Sequence, residues 1–173
     1  MLTNFHHDHI WTQTHTILIQ AFINTWLDYC NSLYLDIADG LMSHLQSVQN
    51  AAARLITIVR RCGQITPALH QLHWLPVRRR VDFTISTLVY RSLAGTAPVY
   101  LADECTLVTA TSRCPLQSAD NQTCLVKKSC NQFGDCCFAT AGPTLCNSLP
   151  EQLRQPDITF GQFKQSSKTF MCG

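Results

Sequence analysis

Between Asp39 and Arg61 apolar residues recur at helical intervals: Leu41, Leu45, Val48, Ala52, Leu55 and Val59 lie 4, 3, 4, 3 and 4 residues apart. That alternation puts six side chains on one stripe of a helix and gives a strand no consistent face. Asp39 is a good N-cap type and Cys62-Gly63 supplies a stop, so the spacing predicts a helix from Asp39 to about Arg61. Met42, Gln49 and Ile56 flank the stripe. A single helix of this length is marginal in water, so the stripe needs a partner.

Partners are available on both sides. Upstream, Thr12 to Asp28 reads as a helix, with Ile17, Ala21 and Ile23 or Asn24 near one stripe and Leu18, Phe22 and Thr25 beside it. Asp28 and Asn31 then have the right side chains to satisfy backbone donors where the helix breaks. Downstream, Thr66-Pro67 opens a short helix, Ala68 to Leu72, which leads into His73-Trp74-Leu75-Pro76. Pro76 suits a helix start, where its missing N–H has no partner to lose. The next helix is expected from Val77 to Leu93, with Val77, Val81, Ile85, Leu88 and Val89 inward and Gly95 just past its end. Trp74, among Leu72, Leu75 and Val77, is expected in the core rather than stacked on a base.

Beyond Leu93 the signals shorten. Thr96-Ala97-Pro98 begins a helical piece through Asp103, and Cys105 to Asn121 has no periodicity and reads as a surface loop. Thr123 to Val126 is a candidate strand that would pair with Phe133 to Phe138, and Gly134 and Gly142-Pro143 read as turns. Leu145 to Leu149 and Glu151 to Arg154 look like helical turns separated by Pro150, and Ile158 to Met171 like a final helix anchored by Phe160, Phe163 and Phe170. The expected fold is mainly α, a small helical domain with or without one short β-hairpin in the C-terminal third. Its parts are an N-terminal helix and junction (1–38), a helical core (39–103), a loop (104–122) and a small α-rich element (123–173).

Charge is sparse but uneven. Arg54, Arg60, Arg61, Arg78, Arg79, Arg80 and Arg91 face one acid, Asp82, between Gly40 and Tyr100, whereas the first 39 residues hold Asp8, Asp28, Asp36 and Asp39 and no Lys or Arg. A basic middle of this kind fits a surface facing nucleic acid, and an ordinary solvated helix face explains it equally well from charge alone. Arg60 and Arg61 would also sit at the negative end of the helix dipole. No run of eighteen apolar residues occurs, so no membrane span is expected. The opening MLTNFHHDHIW lacks a basic stretch followed by an apolar one, so the expected compartment is intracellular, cytoplasmic or nuclear. Ten cysteines invite a zinc site or a disulfide framework. Cys124, Cys130, Cys136, Cys137 and Cys146 do not form the tight knuckles that wrap zinc, so no metal is expected.

Three segments carry a resemblance: LDYCNSLY at Leu27 to Tyr34, LMSHLQSVQNAAARLITIVRRCGQITPALHQLHWLPV at Leu41 to Val77, and AGPTLCNSLPEQLRQPD at Ala141 to Asp157. Together they resemble the C-terminal region of LINE-type (non-LTR) retrotransposon reverse transcriptases of the CR1/L2/jockey-like group, the part that follows the polymerase palm. The resemblance implies a piece of an RNA-directed DNA polymerase without its catalytic core, whose natural neighbours would be the absent thumb and palm. It further implies that Arg54, Arg60, Arg61, Arg78, Arg79 and Arg80 contact the phosphates of template RNA or target DNA. Leu45, Val48, Leu55, Trp74, Pro76, Val81 and Leu88 would be structural. A seam left uncovered by the missing domains would favour self-association. Where the family shows Arg, this chain has Trp26, Cys130, Gln132 and Cys136, and where it shows Trp, Cys146, which implies mutational decay of an old element.

Catalytic signatures are not in the sequence. There is no Asp-Asp pair for two-metal nucleotidyl transfer, no G-x-S-x-G, and no glycine loop of the phosphate-cradling kinds. His6, His7 and His9 form only a terminal cluster, and His73 has no recognisable catalytic partner. An enzyme, and any cofactor, is therefore not expected. The alternative to nucleic-acid binding is a degraded remnant or a structural, interaction-type helical module.

Overall fold

The computed structural model describes residues 3–35, 37–60, 63–111, 122–127 and 137–172, with side chains described from Thr14 onward. The chain is mainly helical. It divides into two compact units, Met1–Arg80 and Val81–Gly173, at a point inside one helix rather than at the expected boundaries near 38 and 103. The reason within the first unit is that the N-terminal helix packs on the long one instead of standing apart from it.

That unit contains α1 (Thr3–Asp28), a 3-10 turn (Asn31–Tyr34), α2 (Asp39–Thr57), α3 (Thr66–Gln71) and the first turn of α4 (Val77–Leu93). Helix α1 begins nearer the N-terminus than expected and buries Ile23 and Leu27, while Ile17, Leu18 and Phe22 are exposed. Helix α2 also buries a different face from the expected one. Met42, Gln49, Ala52 and Ala53 are buried and Leu45 is half-buried, whereas Leu41, Val48 and Leu55 are exposed, Leu55 to 72%. Val48 and Leu55 are therefore not core residues. A buried amide decides the rotation of the helix: Gln49, 0% exposed, has a hydrogen-bond partner on the inner side that no leucine could use.

Helix α2 stops at Thr57, four residues before Arg61, because Ile58 turns into the left-handed region with φ 55° and ψ 27°. Arg60 is thus outside the helix and exposed, Arg54 takes the last-turn position, and Arg61 and Cys62 lie outside the described residues. Helix α3 closes differently. Trp74 N–H donates to Leu69 O (2.9 Å) and His73 N–H to His70 O (3.0 Å), with His73 left-handed at φ 54°. This is a Schellman motif with histidine where glycine is usual, and its apolar clasp is Trp74 and Leu69, both buried. Pro76 O then accepts from Arg80 N–H (2.9 Å), which makes Pro76 the residue that launches α4.

In the second unit α4 continues through Val81, Ile85 and Val89, all buried, with Leu88 half-buried, and closes on Gly95 at φ 68°. Thr96 N–H reaches Arg91 O (2.9 Å) and Gly95 N–H reaches Ser92 O (3.3 Å). Short α5 (Val99–Ala102) and α6 (Val108–Thr111) follow, so the expected loop from Cys105 contains a helical turn, and its residues 112–121 lie outside the described ones. In the segment of the optional hairpin, Cys124 pairs antiparallel with Leu107 in an isolated bridge. Its expected partner strand lies largely outside the described residues, and Phe138 belongs to α7 (Phe138–Ser148).

Gly142 and Pro143 are not a turn but sit buried inside α7. A side chain at Gly142 would meet Val89 Cγ2 at 3.0 Å, so its absence lets the helix backbone settle against Val89 of α4. A 3-10 turn (Glu151–Leu153) leads to α8 (Phe160–Cys172), which is opened by a reciprocal cap. Gln162 N–H donates to Thr159 Oγ1 (3.4 Å), and Gln162 Oε1 accepts from Thr159 N–H (3.1 Å). The inward stripe of α8 is Phe163, Ser167 and Met171. Phe170 is exposed, and Phe160 is half-covered beside Tyr90, with ring centroids 5.6 Å apart.

An isoleucine held left-handed and 83% exposed strains the backbone and returns little burial. Ile58→Gly should therefore raise the stability of the first unit by about 0.5–1 kcal/mol. Urea unfolding followed by tryptophan fluorescence measures this selectively, since Trp11, Trp26 and Trp74 all lie in that unit.

Candidate nucleic-acid interface

Among the described residues of the first unit, long-range polar contacts gather at the joint between α3 and α4. Its centre is the carbonyl of Leu75, which accepts from Gln49 Nε2 (2.8 Å) and from Arg80 Nε (3.2 Å). The neighbouring backbone donor, Val77 N–H, goes to Gln46 Oε1 (2.9 Å), and Gln46 Nε2 donates in turn to Gln49 Oε1 and Asn50 Oδ1, both at 2.9 Å. Proline at 76 offers no N–H, so these side chains serve the polar groups on either side of it. Trp74, Leu75 and Val77 are buried around them.

Arg80 extends this network to α1. Its Nη1 donates to Asp28 Oδ1 and its Nη2 to Asn24 Oδ1, both at 2.7 Å, and the side chain is only 10% exposed. Asp28 therefore serves an arginine of α4 rather than the backbone donors expected of it, and Asn31 is buried nearby in sequence, in the 3-10 turn. All of the Arg80 guanidinium nitrogens are engaged, so Arg80 is removed from the set of phosphate-binding candidates.

The other arginines are scattered. Arg78 is exposed and pairs with the exposed Asp39 at the start of α2. Arg54 lies 15 residues further along the same helix, about 22 Å away at 1.5 Å per residue. It is half-buried, and its Nε is buried without a hydrogen-bond partner. Arg60 and Arg79 are exposed. Among the described arginines of this unit, Arg78-Arg79 and Arg54 thus stand apart, toward opposite ends of α2. Among the described residues no group of three or more His, Cys, Asp or Glu side chains is arranged to hold a metal ion, and no helix is long and apolar enough to cross a membrane.

No family model, curated protein or solved structure matches the chain.

Sequence reasoning missed Gln46 and Gln49, which look like ordinary helix-surface residues. The available signal was a glutamine between Met42 and Ile56 on the side flanking the leucine stripe. It also missed that Cys105, Cys124 and Cys146 are all buried in the second unit, because they share no motif spacing.

Removing Arg80 leaves Asp28 without its cation and Leu75 O with one donor fewer. Arg80→Ala should cost about 2–3 kcal/mol, given that Asp28 is partly solvated. Arg79→Ala, one residue away and exposed, should change stability by no more than about 0.5 kcal/mol. Urea unfolding read by tryptophan fluorescence compares the two.

Proposed function

We propose that the chain is a non-catalytic piece of the tail of a LINE-type reverse transcriptase, a helical scaffold that adds a sparse set of phosphate contacts to the handling of template RNA or target DNA. The observation that carries this reading is the Arg80 interlock. It joins Asp28 of the LDYCNSLY segment to Leu75 of the LHWLP segment, 47 residues apart in sequence, in one hydrogen-bonded unit. Two of the three segments behind the family resemblance thus depend on each other physically, which supports reading them as one ancestral structural element. In this reading the resemblance lies in residues that build the scaffold, and the exposed Arg60, Arg78 and Arg79 supply the affinity.

A second reading, an interaction module without nucleic-acid binding, is favoured by exposed apolar residues on the first unit. Leu18, Phe22, Trp26, Tyr29 and Leu33 follow one another along α1 and the turn after it, and Phe22 and Trp26 touch at 6.0 Å between ring centroids. In the parent protein the thumb or palm would cover such a face.

Salt dependence separates the readings. With three arginines on duplex phosphates, log K should fall against log salt with a slope of about −3, shallower by about 0.9 in Arg79→Ala. Binding that is absent at low salt, or a slope of zero, would reject the nucleic-acid role and leave the interaction module.

A further inference from the structure

We propose that an exposed stripe of α2 is a self-association surface, on which the same stripe of a second copy of the chain packs antiparallel. Such pairing requires neither the nucleic-acid contacts nor the α1 face described above.

Helix α2 carries more apolar surface than its own unit covers. Met42, Gln49, Ala52 and Ala53 form its buried side, and Ser43, Ser47, Asn50 and Arg54 form a polar one. Between these two sides runs a third line, Leu41, His44, Val48, Ala51 and Leu55, which ends on the C-cap residue Ile58, and every member is exposed. The intervals are 3, 4, 3, 4 and 3, the heptad spacing that keeps one line of a helix facing a partner helix. Leu41, Val48, Leu55 and Ile58 are each more than half exposed, and a contiguous apolar line of this kind marks an interaction surface where scattered single residues would not. Ile58 adds an independent sign. It occupies a left-handed C-cap, where glycine fits without strain, and the first unit leaves its side chain in solvent. A helix lying along the stripe would cover it.

The stripe complements itself, which is why a second copy is the occupant. Its intervals read the same from either end. An antiparallel copy therefore brings Leu41 opposite Ile58, His44 opposite Leu55 and Val48 opposite Ala51, each pair occurring twice about a twofold axis. Valine against alanine at the centre lets the two helices approach closely. No Asp, Glu, Lys or Arg lies on the stripe, so a copy meets no fixed like charge along it.

Charges at the two ends choose the direction. Asp39, exposed although paired with Arg78, opens α2, whereas Arg54 lies in its last turn and the exposed Arg60 follows Ile58 by two residues. A parallel pair would gather Arg54 and Arg60 of both copies at one end and align the helix dipoles. An antiparallel pair sets them toward Asp39 of the other copy and opposes the dipoles. The contact is small. A stripe about 27 Å long and about 10 Å wide buries roughly 300 Å² per copy against the ~800 Å² of a standard interface, so the dissociation constant should be on the order of 100 µM.

Sedimentation equilibrium of the full chain under reducing conditions, from about 10 to about 500 µM, should show the mean mass rising from monomer toward dimer and no further. Leu55→Glu replaces an exposed side chain, so it should leave the urea midpoint unchanged and weaken association at least about ten-fold. Ile58→Gly should weaken association about three-fold while stabilising the unit itself, opposite signs that a purely structural role does not produce. Val48→Lys and Ala51→Glu should each weaken association and together restore it, because each Val48 faces Ala51 of the other copy. In a parallel pair the double variant would set like charges face to face. A chain that stays monomeric across the whole range would overturn the proposal, as would oligomers larger than a dimer or a double variant no tighter than the single ones. So would association lost in Phe22→Glu and kept in Leu55→Glu, since that result puts the contact on α1.

Discussion

One carbonyl organises the first unit. Leu75 O lies where the chain leaves a left-handed histidine and approaches a proline, so it has no regular ladder to join. A buried acceptor in that position is costly unless paired, and here it receives donors from Gln49 of α2 and Arg80 of α4. Each of these brings further consequences. Gln49 fixes which face of α2 turns inward, and Arg80 draws in Asn24 and Asp28 of α1. The apolar packing of Trp74, Ile23, Leu27 and Met42 is arranged around this polar frame. Aliphatic burial drives collapse, but it is non-directional, and the hydrogen bonds select one orientation from several that would bury similar area.

This accounts for what the sequence disclosed. Helix α4 was legible because its inward residues recur at helical spacing and Gly95 stands at its end, and both signals are local. The inner face of α2 was not. Leucines make the strongest stripe, yet the helix is rotated by an amide whose partner is 26 residues away. The early stop at Ile58 was equally hidden, since an isoleucine is the wrong residue type for a left-handed cap and only the surrounding structure holds it there. Gly142-Pro143 read as a turn because those residues usually make one; here the glycine permits close approach to Val89 within a helix.

The candidate site was legible as composition and not as geometry. Arg78, Arg79 and Arg80 are indistinguishable as a run, but on a helix they point in directions about 100° apart. One therefore enters the interior, one pairs with Asp39, and one faces solvent. Which of the three does which depends on α1, whose Asp28 lies 52 residues from Arg80. The tie between the bridge and α7 was hidden for a similar reason: the backbone of Cys124 is held by the Asn147 side chain, and no residue spacing encodes that.

The grip of Asn147 on Cys124 also bears on how the protein behaves in a crowd. On one edge of the segment, Thr123 O accepts from Val108 N–H and Leu125 N–H donates to Thr106 O. On the other edge, the N–H and C=O of Cys124 are both taken by one amide. A lone extended segment ordinarily offers a free edge on which another chain can add a strand, the first step toward ordered aggregation. Here a side chain occupies the place of that intruding strand, and the segment is closed on both edges at Cys124 without a sheet having been built.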